Sequence, residues 1–372
     1  MKILINTATT HKGGSIQVAY SFLQECKTTP EHKFIVVLGL ALQKLIKTEE
    51  FPSNFYFEKI SYRPAQQVFS WKDQAKILKE IESKHQPDVV FTTSGPAYWR
   101  PKAKHLMGFN LPHYIYKDSP FFKTLTLKEK LFWFLKERII KHYTKRDADA
   151  YVVQTEDVKI RLKNWIGKEN VFTVTNTYGS QYNNPKSFDL FLPESKNEQF
   201  RLLLISSYYK HKDIEIINSI ISYFEPDENI RFVLTLPELV YQSIFSDSAK
   251  KYIYNIGPLS PQQCPQLYTE CNAVFLPSLL ECFSATYAEA MKMKLPIITT
   301  DMSFAHSVCG EAALYFKPKN AQDAYKKIKL LQTDNNVYTT LLQKASIEIQ
   351  KFNSAKKRAE KFLAICEALV SR

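Results

Sequence analysis

Long apolar runs are missing from this chain of 372 residues: nowhere do eighteen or more apolar residues follow one another, which excludes a spanning helix. The start, Met1-Lys-Ile-Leu-Ile-Asn6, is a short apolar strand with no apolar region behind it, so no secretory signal is expected and the chain reads as cytoplasmic. Cysteine is sparse. Cys26, Cys264, Cys271, Cys282, Cys309 and Cys366 are scattered, with no C-x-x-C pair and no histidine spacing of a zinc site, so reduced thiols are expected. Glycine is scarce, with only nine residues, and no G-x-G-x-x-G or P-loop occurs. There is no short-period repeat and no low-complexity tract. With 45% hydrophobic residues, the composition describes a folded chain long enough for two ordinary domains. A net charge of +13 calls for an anionic partner or a solvated surface; nucleic acid, an anionic membrane face and phosphate-bearing substrates all qualify. Nucleic acid is disfavoured, because Lys and Arg are spread along the chain and no zinc-finger or RNA-binding pattern occurs.

The first half alternates strand and helix signals. Strands are predicted at Lys2–Ile5, Phe34–Leu38, Val89–Thr92, His105–Phe109 and Ala150–Gln154, and helices at Ile16–Lys27, Trp71–Lys84, Leu127–His142 and Glu156–Trp165. Such alternation implies a parallel sheet with helices on both faces, a Rossmann-like domain over residues 1–180. Turn formers crowd Thr175–Pro185 and Leu192–Asn197, which reads as a linker. A second α/β unit follows, with strands at Phe200–Ile205, Phe232–Leu236, Ala273–Leu276 and Leu295–Thr300. Its helices are predicted at Asp213–Tyr223, Pro261–Cys271, Ala321–Thr333 and Val337–Phe352, with a last helix at Ala355–Ser371.

The most informative stretch is Pro277–Pro296, PSLLECFSATYAEAMKMKLP. It reads as strand, loop and helix, and carries Glu281 and Glu289 eight positions apart. A helix opening near Ser284, a good N-cap residue, turns unpaired N–H groups and the positive end of its dipole toward whatever lies above the strand ends, which favours a phosphate. A carboxylate accepts hydrogen bonds from two neighbouring hydroxyls, so Glu281 and Glu289 suit a sugar and a ribose. His11-Lys-Gly-Gly-Ser15 offers a close backbone approach to an anion at a helix start, although alone it is a weak phosphate motif.

Glu281 through Glu289 resembles the E-x7-E motif of retaining glycosyltransferases of family 4, which have the GT-B architecture of two Rossmann-like domains facing across a cleft. Asn255-Ile-Gly-Pro-Leu259, Pro277-Ser278, Leu295–Thr300 and Gly310–Phe316 match the family's order as well. The resemblance implies an acceptor-binding domain over 1–180, a nucleotide-sugar-binding domain over 181–354, and a final helix, 355–372, crossing back onto the first domain. It implies catalytic roles for Glu281, Lys212 and His113, the last as a polar contact to the donor sugar. Donor contacts are implied for Glu289, Phe283, Ser284, Ala285, Thr286, Gly13, Gly14, Lys210, Gly257, Pro258 and Leu259. The loop Ser206–Asp213 supplies Lys212 where the family has a lysine, but has Ser207 near the position of the usual arginine, with Lys210 as a substitute. Cys282, where the family has a small residue, reads as a wall residue. No metal or cofactor is implied, and Asp147-Ala-Asp149, the D-x-D signature of another glycosyltransferase fold, reads as a solvated turn before a strand.

The expectation is therefore a retaining, metal-independent transfer of a sugar from a nucleotide-sugar donor to a glycan or lipid-linked acceptor, in bacterial surface polysaccharide or lipopolysaccharide assembly. The rival readings are an inactive GT-B scaffold that binds a sugar or a partner, kept open by the missing arginine, a basic nucleic-acid-binding protein, and a GT-B epimerase acting on a nucleotide sugar, which shares the fold but usually not the E-x7-E setting. Residues 121–146 hold eight Lys or Arg against Glu129 and Glu137, with Leu127, Leu131, Phe134, Leu135 and Ile139 at helical spacing. They read either as a core helix with a wetted basic side or as a surface docking on an anionic membrane, at the inner face of the plasma membrane.

Overall fold

The computed structural model describes residues 1–11, 13–67, 75–194 and 199–371. Lys12, residues 71–74 of the helix expected from Trp71, and residues 195–197 of the expected linker lie outside the described residues. Two parallel sheets organise the chain. The first has seven strands: β1 Lys2–Asn6, β2 Lys33–Leu38, β3 Phe55–Lys59, β4 Val89–Thr92, β5 Lys104–Gly108, β6 Ala150–Val153 and β7 Val171–Thr173, in the order β3-β2-β1-β4-β5-β6-β7. The second has six: β8 Phe200–Leu204, β9 Ile230–Leu234, β10 Ile253–Asn255, β11 Ala273–Leu276, β12 Ile297–Thr300 and β13 Ala313–Phe316, in the order β10-β9-β8-β11-β12-β13.

The central strands are continuous apolar runs because helices cover both of their faces. Ile3, Leu4 and Ile5 of β1 are fully buried, as are Ala273, Val274 and Phe275 of β11. In each sheet the strand order reverses beside the first strand of its unit, at β1/β4, where Ile3 lies opposite Val89, and at β8/β11, where Leu202 lies opposite Ala273. At such a reversal the connecting loops part to opposite faces and leave a crevice beyond the carboxyl ends of the strands.

The chain forms two compact units. The first comprises residues 1–117, 125–176 and 353–372, and the second 118–124 and 177–352. The sequence reading draws its boundaries at 180 and 354 and does not anticipate that 118–124 groups with the second unit. Within the first unit, the chain's exit and return are bonded to each other: Asn353 donates its backbone N–H (2.9 Å) and its side-chain amide (2.6 Å) to Thr175 Oγ1, and Arg358 donates to Asn176 and, at 2.9 Å, to Ser21. The last helix, Ala355–Val370, crosses back and buries Ala359, Phe362, Leu363, Cys366 and Leu369 in the first unit's core.

Three expectations need correction. The helix expected over Asp213–Tyr223 is only Ile216–Ile221, because residues 210–212 make a 3-10 turn and Asp213 takes φ +52°. Asp147-Ala-Asp149 is no solvated turn. Asp147 is buried and paired with Arg146 at 2.6 Å, while Asp149 pairs with Arg100 at 2.5 Å and accepts the His105 backbone N–H at 2.9 Å. The 121–146 stretch is not a core helix either. Phe121 is buried in the second unit, whereas the helix Leu127–Asp147 belongs to the first and leaves most of its apolar side chains exposed.

Candidate functional site

The second unit's loops after β8 and β11 flank the strand-order reversal, and they are fastened together by backbone. Leu279 donates its N–H to the His211 carbonyl at 2.8 Å, and the Leu279 carbonyl accepts from Ser119 Oγ at 2.7 Å. Thr300 Oγ1 donates to the Ser278 carbonyl at 2.6 Å, tying the loop to the end of β12. Ser278, Leu279, Leu280 and Cys282 are buried. Glu281 is the one side chain of this run, from 278 to 282, that keeps access to solvent, and its carboxylate forms an ion pair with Lys212 Nζ. The structure thus unites an acid from the β11 loop and a cation from the β8 loop, 69 residues apart in sequence, at the carboxyl edge of the sheet.

The helix that follows runs over Ala285–Lys292, with Ser284 as an extended N-cap (φ −99°, ψ 119°) whose hydroxyl makes no capping bond. Ala285 and Thr286, half-buried, form its first turn. No acidic residue occupies that turn, so the helix's positive end is not neutralised by its own side chains. Phe283 packs edge-on against Phe352, ring centroids 5.9 Å apart, so its ring anchors the loop within the unit.

Glu289 lies in the second turn of this helix, in a different hydrogen-bonded group from Glu281. Its Oε2 accepts from the buried Tyr268 hydroxyl at 2.9 Å, and the ring of Tyr182, also buried, stands edge-on to Tyr268 at 5.6 Å. Burial raises the Glu289 carboxyl above the usual glutamate range, opposed by hydrogen bonds from Tyr268 and Tyr182. The two tyrosines are partners of Glu289 that sequence reasoning missed. Tyr182 ends the 3-10 turn Ser180–Tyr182 and Tyr268 lies in the short helix Cys264–Thr269, and only their aromatic character signals them.

In the β8 loop, Lys210 is exposed and Lys212 half-buried. His211 between them stacks on Tyr209 (5.5 Å, 16°) and stands edge-on to Phe121 (6.2 Å, 88°). Burial, and then Lys212, depress the His211 pKa to about 4, so the imidazole is neutral at pH 7. Farther along the same edge, the loop after β10 carries Gly257 at φ +82°, with open space where a Cβ would stand, followed by exposed Pro258 and half-buried Leu259. Asn255 pins that loop to the one after β9 by exchanging 3.0 Å bonds with the Leu236 backbone.

In the first unit, Gly13 (φ +60°) precedes the helix Gly14–Cys26 after β1, and neither Gly13 nor Gly14 has any atom within 4 Å of a Cβ position. The positive φ favours glycine at 13, and the open space leaves the amides at this helix start approachable. His113 sits after β5 in the short helix Pro112–Ile115, its ring stacked flat on Trp133 at 4.5 Å. Among the described residues no group of three His, Cys, Asp or Glu is placed to hold a metal ion. All six cysteines are unbridged.

Residues 194–348 match the family of glycosyl transferases group 1. The fold is GT-B. Over the whole chain the structure is similar to sucrose-phosphate synthase from Thermosynechococcus elongatus (TM-score 0.73, 13% identity, 100% of this chain and 99% of that one). It is similar also to Anabaena HepE, solved with UDP and glucose (TM-score 0.70, 14% identity, 99% and 100%), and to WaaG, a glycosyltransferase of lipopolysaccharide biosynthesis (TM-score 0.71, 11% identity, 98% and 99%). Comparison with curated proteins gives no match.

Proposed function

With a glycosyl transferases group 1 domain over residues 194–348 as the premise, we propose that this protein is a retaining, metal-independent glycosyltransferase of family 4. The observation that carries the reading is the Lys212–Glu281 pair at the β8/β11 reversal, beside the amino end of the Ala285–Lys292 helix. Cation, helix end and carboxylate are what a sugar diphosphate needs: charge compensation for the leaving group and acceptors for sugar hydroxyls. An ammonium has three donors, so Lys212 can hold Glu281 and a phosphate oxygen together. Anabaena HepE, which has the same fold, was solved with UDP-glucose, in keeping with a nucleotide-sugar donor.

In this scheme Glu281 holds the transferred sugar through its hydroxyls and Glu289, steadied by Tyr268, accepts from the ribose. Backbone and side-chain groups of Phe283, Ser284, Ala285 and Thr286 line the donor, and Lys210 adds a second cation. Gly257, Pro258 and Leu259 contribute from the β10 loop. In the first unit, Gly13 and Gly14 offer helix-start amides that suit a phosphate, and His113 a polar group that suits a sugar. The C1–O bond to the diphosphate breaks and the acceptor oxygen bonds C1 on the same face. The acceptor proton passes to the departing phosphate oxygen, a front-face route that needs no second catalytic carboxylate. A glycan or lipid-linked acceptor in surface polysaccharide assembly fits the chain's basic character.

A thermal-shift screen against UDP-, GDP-, ADP- and dTDP-sugars identifies the donor, and transfer is then measured in excess EDTA. Activity is expected to persist there, and Lys212→Ala is expected to lose roughly 10²- to 10³-fold in turnover, the scale of removing one charge-stabilising donor. Loss in EDTA restored by Mg²⁺ or Mn²⁺, or a Lys212→Ala enzyme of undiminished turnover, overturns the scheme.

A further inference from the structure

We propose that the solvent face of the Leu127–Asp147 helix is a docking surface for an anionic lipid bilayer, with the leucines and phenylalanines of its first half entering the interface and its basic second half lying on the headgroups. The helix is firmly built. Thr126 and Glu129 close a capping box, the Thr126 N–H reaching Glu129 Oε2 at 2.7 Å. Only one narrow stripe packs inward, with Ile140, Thr144 and Asp147 buried.

The opposite face is apolar where a surface helix should be polar. Leu127 is 83% exposed, Leu131 59%, Phe132 55%, Phe134 51% and Leu135 53%. Leu127, Leu131 and Leu135 follow one another at i, i+4 and i+8, a ridge about 12 Å long. Farther along the helix the exposed positions become Arg138, Lys141, His142, Lys145 and Arg146. The two acids of the stretch do not offset this charge. Glu129 is spent on the cap, and Glu137 is engaged by Lys117 and by Trp165 Nε1 at 2.9 Å. Cations also sit on the aromatic rings, Arg138 over Phe134 at 4.6 Å and Lys136 over Phe132 at 5.4 Å, so the long side chains cover part of the apolar surface while their heads stay at its margin.

The charge decides the occupant. The cores of protein–protein interfaces are depleted of lysine, whereas a helix that lies in a membrane surface combines Leu and Phe with Lys and Arg. An anionic bilayer satisfies both halves of this face at once, the acyl boundary taking the leucines and lipid phosphates the cations. Docking stands apart from sugar transfer, since it requires no donor and no residue placed in the transfer site.

The test is co-sedimentation of the full chain with vesicles of phosphatidylcholine alone or mixed with phosphatidylglycerol, over a salt series and without nucleotide sugar. Binding is expected to the mixed vesicles only and to weaken with salt. Leu131→Glu/Leu135→Glu is expected to weaken it at least about tenfold, and each of Arg138→Gln, Lys141→Gln and Lys145→Gln about fivefold. Donor thermal shifts are expected to be unchanged in every variant, which separates docking from transfer and shows that the variants are folded. Equal binding to neutral vesicles, no binding at all, or concentration-dependent self-association abolished by the leucine variants overturns the proposal, the last by assigning the face to a second copy of the chain.

Discussion

Burial shifts Glu289 and His105 in opposite directions, the carboxyl upward and the imidazole downward, and in each it disfavours the charged form. Burial holds the Glu289 pKa above the usual range, and the hydroxyl of Tyr268 works against that by donating to the ionised form. Tyr268→Phe removes the donor, so the carboxyl rises further and is left without that bond, at a cost of about 1–3 kcal/mol. If Glu289 accepts from a ribose it must be ionised; donor affinity in the wild type then falls as pH drops through the raised pKa, and in Tyr268→Phe the fall begins at a higher pH. Calorimetric titration between pH 8 and pH 5 reads this directly, and superimposable profiles would remove Glu289 from the donor site. His105 is buried, its Nδ1 donating to the Asp147 carbonyl at 2.5 Å while Nε2 accepts from Thr92 Oγ1 at 2.7 Å. Desolvation depresses its pKa to about 4, so it stays neutral in the fold while an unfolded histidine protonates near pH 6.5. Its contribution is therefore complete above about pH 6.5 and lost as pH falls toward 4, by about 2 kcal/mol at pH 5. Imidazole NMR of the native protein should find this ring uncharged at pH 5, and a ring that titrates near 6.5 contradicts the burial argument.

At the scale of elements, legibility followed burial. The central strands β1, β2, β4, β8, β11 and β12 are near-continuous apolar runs and stood out in the sequence, whereas β3, β7, β10 and β13, at or beside sheet edges, did not. In β3, Phe-Tyr-Phe-Glu-Lys has only Phe55 fully inside, and β7 and β10 are three residues long. The Leu127–Asp147 helix was ambiguous because an apolar stripe in sequence says nothing of whether anything covers it. Glu281 and Lys212 were each singled out through family resemblance but their pairing was not, and the tyrosines around Glu289 were hardly signalled, because they come from the separate short elements Ser180–Tyr182 and Cys264–Thr269. The final helix was legible from resemblance too, and its grip on the first unit is measurable. Phe362 is wedged between Phe22 (5.5 Å) and Phe91 (5.1 Å), so Phe362→Ala should cost about 3–5 kcal/mol. Urea unfolding followed by tryptophan fluorescence checks the value; a loss under 1 kcal/mol would mean the helix packs loosely.

For the whole molecule, the division into two units with separate cores sets what unfolding can look like. Phe200, Phe232, Phe275 and their neighbours form one core within residues 200–341, while Ile3, Phe22, Phe34 and Phe362 belong to another. Chains of this size with two cores seldom unfold in one step, and a ligand held by one core stabilises only that core's transition directly. Tryptophan makes the two distinguishable. All four, Trp71, Trp99, Trp133 and Trp165, fall by sequence position in the first unit, so indole fluorescence follows that unit alone while far-ultraviolet circular dichroism follows both. A donor bound mainly through Lys212, Glu281 and Glu289 adds about 2.7 kcal/mol to the second unit at a hundred times its dissociation constant. For a unit of this size, that raises its midpoint by roughly 5–10 °C. Heating with and without the donor should therefore displace a dichroism component that fluorescence does not follow. Equal displacement of both signals would place the principal donor contacts on the first unit, at Gly13, Gly14 and His113, and would take the leading role from Lys212 and Glu281.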